Sequence, residues 1–151
     1  MESRCIECGA VLERGRECRE YLHELLAVES QVPGAGGGEP HFFAVASYNL
    51  QHPSGFVPRA LIGLRHSVAD VLAGRADIAD VLRRTRSATN GSTRVRRRAD
   101  EPLTEAEREL LRDWPTTWKI TVRDLCTVSP EEYMEGVRAW ANAVSAALER
   151  T

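Results

Sequence analysis

The residues best equipped for chemistry stand near the start of the chain. Cys5-Ile-Glu-Cys8-Gly9 sets two thiols three positions apart, the spacing at which one tight turn turns two thiolates toward a single cation. Gly9 suits such a knuckle because glycine takes positive φ without steric cost. Cys18 adds a third thiol, and the histidine richest in neighbouring motif is His52, in Tyr48-Asn-Leu-Gln51-His52-Pro53. Three thiolates and one imidazole are the donor set of a structural zinc site, which takes four such ligands in a tetrahedron. The competing readings are a redox-active Cys-x-x-Cys pair and plain buried thiols. His41 is the other candidate for the fourth position.

The elements on either side decide between the histidines. Leu22, Leu25, Leu26 and Glu29 recur at helical spacing after Cys18, which predicts a helix to about Ser30 with Cys18 at its positive, thiolate-favouring end. Pro33 to Gly38 reads as a flexible connector. His41 to His52 is apolar-rich and ends at Pro53, a proline that keeps the residue before it out of the helical region. On one helix the two histidines lie roughly 16 Å apart, at about 1.5 Å per residue. An antiparallel hairpin of the two helices returns His52 to the cysteines. A parallel crossover brings His41 instead, and the short connection favours the hairpin.

Further along, Pro58 opens a helix with Leu61, Leu64, Val68, Val71 and Leu72 on one face and Gly74 as its stop. A shorter helix is expected from Asp77 to about Arg86. Residues 87–102 turn polar and read as a mobile loop that contains Asn90-Gly91-Ser92-Thr93 and the run Arg94-Val-Arg96-Arg97-Arg98. Thr104 and Glu107 form a capping-box pattern for a helix from Glu105 to Asp113. Ile120 to Cys126 is too brief for periodicity to separate a strand from a helical turn. Ser129-Pro130-Glu131-Glu132 is the strongest helix start in the chain, and the last helix carries Tyr133, Val137, Trp140, Val144 and Leu148 on one face.

The chain has 151 residues, 42% of them hydrophobic and 28% charged, a composition that folds as one globular domain and excludes wholesale disorder. The expected fold is mainly α: a small helical bundle (19–151) with an N-terminal zinc knuckle (1–18). A net charge of -2 and a pI near 6.1 create no overall field toward nucleic acid or anionic membranes. Neither a signal peptide nor a run of about 20 apolar residues is present, so a cytoplasmic protein without a membrane span is expected. In that reducing compartment, Cys-x-x-Cys favours metal over disulfide. Lys119 is the only lysine among many arginines, a bias typical of GC-rich bacterial genomes.

The set Cys5-x-x-Cys8-Gly9-Ala10, Cys18, His41 and Tyr48-x-x-Gln51-His52-Pro53 resembles a family of short bacterial proteins known as a domain of unknown function. The resemblance extends through His66 to Gly74, and from Thr121 to Leu125 into the last helix. It marks Cys5, Cys8, Cys18, His41, Gln51 and His52 and implies no activity. Ala46 departs from it: an acidic residue is expected midway between the two histidines, which weakens any reading with a catalytic carboxylate on that helix.

Three functions follow from these residues. A closed Cys3His zinc site points to a structural module that serves a protein partner. The alternative is a metal-dependent hydrolase or thiol transferase in which His41, His52 and His66 share an open site beside Tyr48 or Gln51. Nucleic-acid binding through Arg94, Arg96, Arg97 and Arg98 is disfavoured by the overall acidity and the lack of aromatic residues near that cluster. His23 and His66 read as structural histidines, Cys126 as a small buried hydrophobe, and Trp114, Trp118 and Trp140 as packing residues.

Overall fold

The computed structural model describes residues 2–90, 94–98 and 100–150, with the backbone alone for 88–90. Two short strands, β1 (Ser3–Arg4) and β2 (Val11–Leu12), pair antiparallel with Ser3 opposite Leu12. Seven helices follow among the described residues: α1 (Cys18–Glu29), α2 (Glu39–Gln51), α3 (Pro58–Leu72), α4 (Ile78–Asn90), α5 (Glu105–Leu111), α6 (Val122–Leu125) and α7 (Tyr133–Glu149). The chain is therefore mainly α, as its periodicity requires. None of the described helices is long and apolar enough to cross a membrane.

Helix α2 is the centre of the bundle. Phe42, Phe43, Ala44, Ala46, Ser47, Leu50 and Gln51 are all buried along it, so it is wrapped on more than one side. Its chief partner is α7, with α3 against both, while α1 leans on α6 and touches α2 less. The expected α1–α2 hairpin thus returns the chain correctly without being the main interface. Along α7 the stripe Tyr133, Val137, Trp140, Val144 and Leu148 is buried. On α3, Leu61, Val68 and Val71 are buried, with Leu64 and Leu72 half-buried at the margin. Gly74, at φ +74°, takes the left-handed conformation that ends this helix.

Local signals set several of the boundaries. Thr104 accepts the Glu107 amide at 3.1 Å, and Glu107 returns a bond to the Thr104 amide at 3.0 Å, the reciprocal cap its sequence implies. The helix stops at Leu111, two residues before the expected Asp113. Ile120 to Cys126 resolves as a helical turn because Asp124 accepts the Thr121 amide at 2.8 Å. Ser129 bonds the Glu132 side chain at 2.7 Å, and the first turn is 3-10, so α7 proper begins at Tyr133.

One boundary is further off. The loop expected from 87 onward gives its first four residues to α4, which runs to Asn90, since Ser87, Ala88 and Thr89 contain no breaker. Gly91 to Thr93 and Ala99 lie outside the described residues. Residues 95–97 pair with the turn after α2: Val57 donates to the Val95 carbonyl at 2.8 Å and Arg97 to that of Gly55 at 3.2 Å.

Trp140 is fully buried on α7, whereas Met134 is 44% exposed on the same helix. Trp140→Ala is expected to cost about 3–5 kcal/mol in urea unfolding and Met134→Ala no more than about 0.5 kcal/mol; equal effects would contradict this packing.

Candidate metal centre

The knuckle is built by the hairpin. The Cys5 amide donates to the Ala10 carbonyl and the Gly9 amide to the Cys5 carbonyl, both at 2.9 Å, closing a turn that points the Cys5 and Cys8 side chains inward. Gly9 sits at φ +77°, which a residue with a Cβ adopts only at a cost. Arg123 of α6 holds the hairpin from below, donating to the Val11 carbonyl at 3.2 Å and to Glu13 at 3.1 Å.

Cys18 is the first residue of α1. The Glu17 amide donates to the Glu20 carboxylate at 2.7 Å, a local bond that fixes where the helix starts and hence where the thiol stands. The fourth member comes from the far end of α2. Gln51 is the last helical residue, and its amide nitrogen donates to the Ile120 carbonyl at 2.7 Å. His52 then leaves the helix at φ -128° ahead of Pro53, as a residue before proline does.

These elements bring Cys5, Cys8, Cys18 and His52 together. Their ligand atoms all lie within 4.8 Å of one another, and they are the one group of three or more potential ligands among the described residues. Cys8 and Cys18 sulfurs stand 3.6 Å apart, and Cys5 Sγ is 3.6 Å from His52 Nε2. Cys8, Cys18 and His52 are buried and Cys5 is half-buried. The group lies close enough to hold a metal ion.

The imidazole is oriented for that role. Nδ1 of His52 lies 2.7 Å from the Tyr48 carbonyl, an acceptor, so the proton belongs on Nδ1. The Nε2 lone pair then faces the sulfurs, the arrangement typical of metal-binding histidines. The Tyr48 ring stacks on the imidazole with centroids 4.0 Å apart. The sequence reading missed this support, although the four-residue spacing of Tyr48 and His52, one helical turn, was the signal for it.

As bare thiols the cluster divides its charge unevenly. Hydrogen bonding to Cys18, helped by His52 and opposed by burial, pulls the Cys8 thiol down to about 4. Cys18 moves the other way, raised by its hydrogen bond to Cys8, by burial and by Cys5. One sulfur takes the charge and its neighbour keeps the proton, because two thiolates at this distance repel. Burial opposes protonation of His52, but its bond to Cys8 and the Tyr48 carbonyl raise its pKa overall. Burial, with the neighbouring sulfurs adding to it, pushes up the pKa of Tyr48. A divalent cation is the partner that lets all the sulfurs be thiolates at once.

His41 is elsewhere. Its Nδ1 lies 2.7 Å from Glu29 Oε2, and the other Glu29 oxygen accepts from Tyr133 at 2.7 Å. It therefore ties α1, α2 and α7 together at the opposite end of α2. His66, like His23, is exposed. The three histidines of the enzymatic alternative are not brought together: His41 is engaged by Glu29, His66 is exposed on α3, and neither belongs to the ligand cluster. Gln51 is fully buried and holds the loop before α6, so it does not face a substrate. Ala46 is buried as well, where a carboxylate would be costly.

Of the other candidates, Cys126 is half-buried and bonds Arg123 through its sulfur at 3.2 Å and 3.3 Å. Trp140 is core, and Trp114 packs at its edge while donating to the Leu50 carbonyl at 2.8 Å. Sequence reasoning placed Glu29 on the apolar stripe of α1 but missed its buried network, because the partners lie up to 104 residues away.

Residues 3–149 match a family of unknown function, DUF5946. The chain belongs to this family. No curated protein and no solved structure matches it, and membership of DUF5946 brings no activity with it.

A Cβ at Gly9 would meet nothing closer than the Thr116 carbonyl at 3.5 Å, so its cost is conformational. Gly9→Ala is expected to lower the stability of the purified protein by about 1–2 kcal/mol, read by denaturant unfolding. An unchanged midpoint would show that the turn does not need this geometry.

Proposed function

We propose that this protein is a structural zinc module in which Cys5, Cys8, Cys18 and His52 hold one zinc ion and the bundle presents a surface to a protein partner. The observation that carries the metal is the gathering of four soft donors within 4.8 Å, with the imidazole already turned to offer Nε2. Zinc fits this set because thiolate and imidazole donors suit its tetrahedral preference. Four protein ligands fill the coordination shell, so the site serves the fold and leaves no position for water or substrate. Its three anchor points are the knuckle, the start of α1 and the end of α2. A two-residue hairpin has little stability of its own, and a metal clip joining it to two helices supplies what it lacks.

The partner reading draws on the tip of the knuckle. Ile6, between two ligands, is 93% exposed. The adjacent Glu7 accepts the Ser54 amide at 2.9 Å, so the tip is held in place. A fixed, outward aliphatic side chain suits an apolar contact on another protein.

Elemental analysis of the protein purified without tags is expected to give about one zinc per chain. Cys8→Ser and His52→Ala should lose most of it, while His41→Ala keeps it. Chelation should lower the thermal midpoint of the wild-type protein. Metal-free protein with the same midpoint, or iron in place of zinc, would overturn the assignment.

A further inference from the structure

The small net charge conceals a strong segregation. Residues 59–98 carry ten arginines against three aspartates, while the rest of the chain has ten basic residues against nineteen acidic ones. The fold gathers part of this excess. Phe56 bridges antiparallel to Arg96, and Val57 and Arg97 complete the pairing of 95–97 with 55–57. The arginine-rich strap is thereby laid against the turn that leads into α3, whose first turn carries Arg59.

Each guanidinium there has a definite state. Arg94 forks onto Glu101 at 2.5 Å and 2.6 Å, a strut that is already neutralised. Arg97 donates to the Glu101 and Ser54 carbonyls at 2.6 Å and 3.4 Å, which fixes its position and leaves its charge uncancelled. Arg96 stands 5.3 Å over the Phe56 ring. Arg59, Arg96 and Arg98 are exposed. Among the described residues, none of Arg59, Arg96, Arg97 and Arg98 makes an ion pair.

We propose that this strap is a binding site for single-stranded nucleic acid, with the unpaired guanidiniums on successive phosphates and a base stacked on Arg96 above Phe56. Two features of the sequence disfavour such a site, the overall acidity and the scarcity of aromatic residues near the arginine run. The tertiary pairing supplies one, from 40 positions earlier in the chain. Arginine suits both parts of the contact, since its planar fork matches phosphate oxygens and its face stacks on bases. Stacking selects unpaired bases, as those of a duplex are already stacked on each other. An acidic peptide would satisfy the charges but make no use of the guanidinium face over the ring. The acidic remainder of the chain repels the backbone and confines contact to this strap.

The test uses the full-length protein as purified, and its failure would leave the zinc assignment standing. Fluorescence anisotropy of a labelled oligothymidylate of about 20 nucleotides at low ionic strength is expected to show binding. The logarithm of affinity should fall with that of salt at a slope of about -2 to -3, as three or four phosphates in a single strand require. Arg96→Glu combined with Arg98→Glu should weaken binding at least tenfold with an unchanged melting midpoint. Arg59→Gln, a milder change on an exposed position, should weaken it severalfold and serves if the double reversal disturbs folding. No anisotropy change at low salt, full affinity in both variants, duplex binding as tight as the single strand, or displacement by polyglutamate at equal charge would each overturn the proposal.

Discussion

Three sulfurs and an imidazole gathered in one small volume govern how the amino-terminal hairpin meets the bundle. Cys5, Cys8 and Cys18 share one small volume with His52, and in a largely buried setting thiolates tolerate each other only when a cation intervenes. As bare thiols they settle into an uneven sharing of one proton between Cys8 and Cys18. Everything around them serves to hold that geometry. The hairpin sets two donors, the first turn of α1 sets the third, and the exit from α2 sets the fourth.

That exit is possible because α2 is secured along its whole length. Apolar and small residues bury it against α7 and α3. Polar ties then fix its ends: Glu29 joins His41 and Tyr133 at the start, while Gln51 and the Leu50 carbonyl engage Ile120 and Trp114 at the finish. The buried Glu29 carboxylate, bonded through both oxygens, and the Gln51 amide nitrogen specify one arrangement of helices more sharply than apolar contact, because a shift leaves them without partners. The position of His52 follows from that specification. Its neighbour Pro53 only ensures that it leaves the helix.

The same stretch also links the two proposed surfaces. Ser54 donates its amide to Glu7 in the knuckle and offers its carbonyl to Arg97 of the strap. The knuckle tip and the basic strap therefore share one turn of chain, between the end of α2 and the start of α3. Ordering that turn with metal would order both surfaces.

The local features were legible from the residues themselves. Cys-x-x-Cys-Gly specifies a knuckle through bonds within six residues, the cap at Thr104 acts within one helical turn, and the stripes of α1, α3 and α7 follow a 3.6-residue period. The histidine that joins the cysteines followed from helix length and chain reversal alone, which is why His52 stood ahead of His41. Only the tertiary structure decided what depends on distant partners: that α2 rests chiefly on α7, that Glu29 is buried with His41 and Tyr133, and that the arginine run lies over Phe56. Those contacts are set by which apolar faces meet across the core, and sequence spacing holds no information on residues brought together from far along the chain.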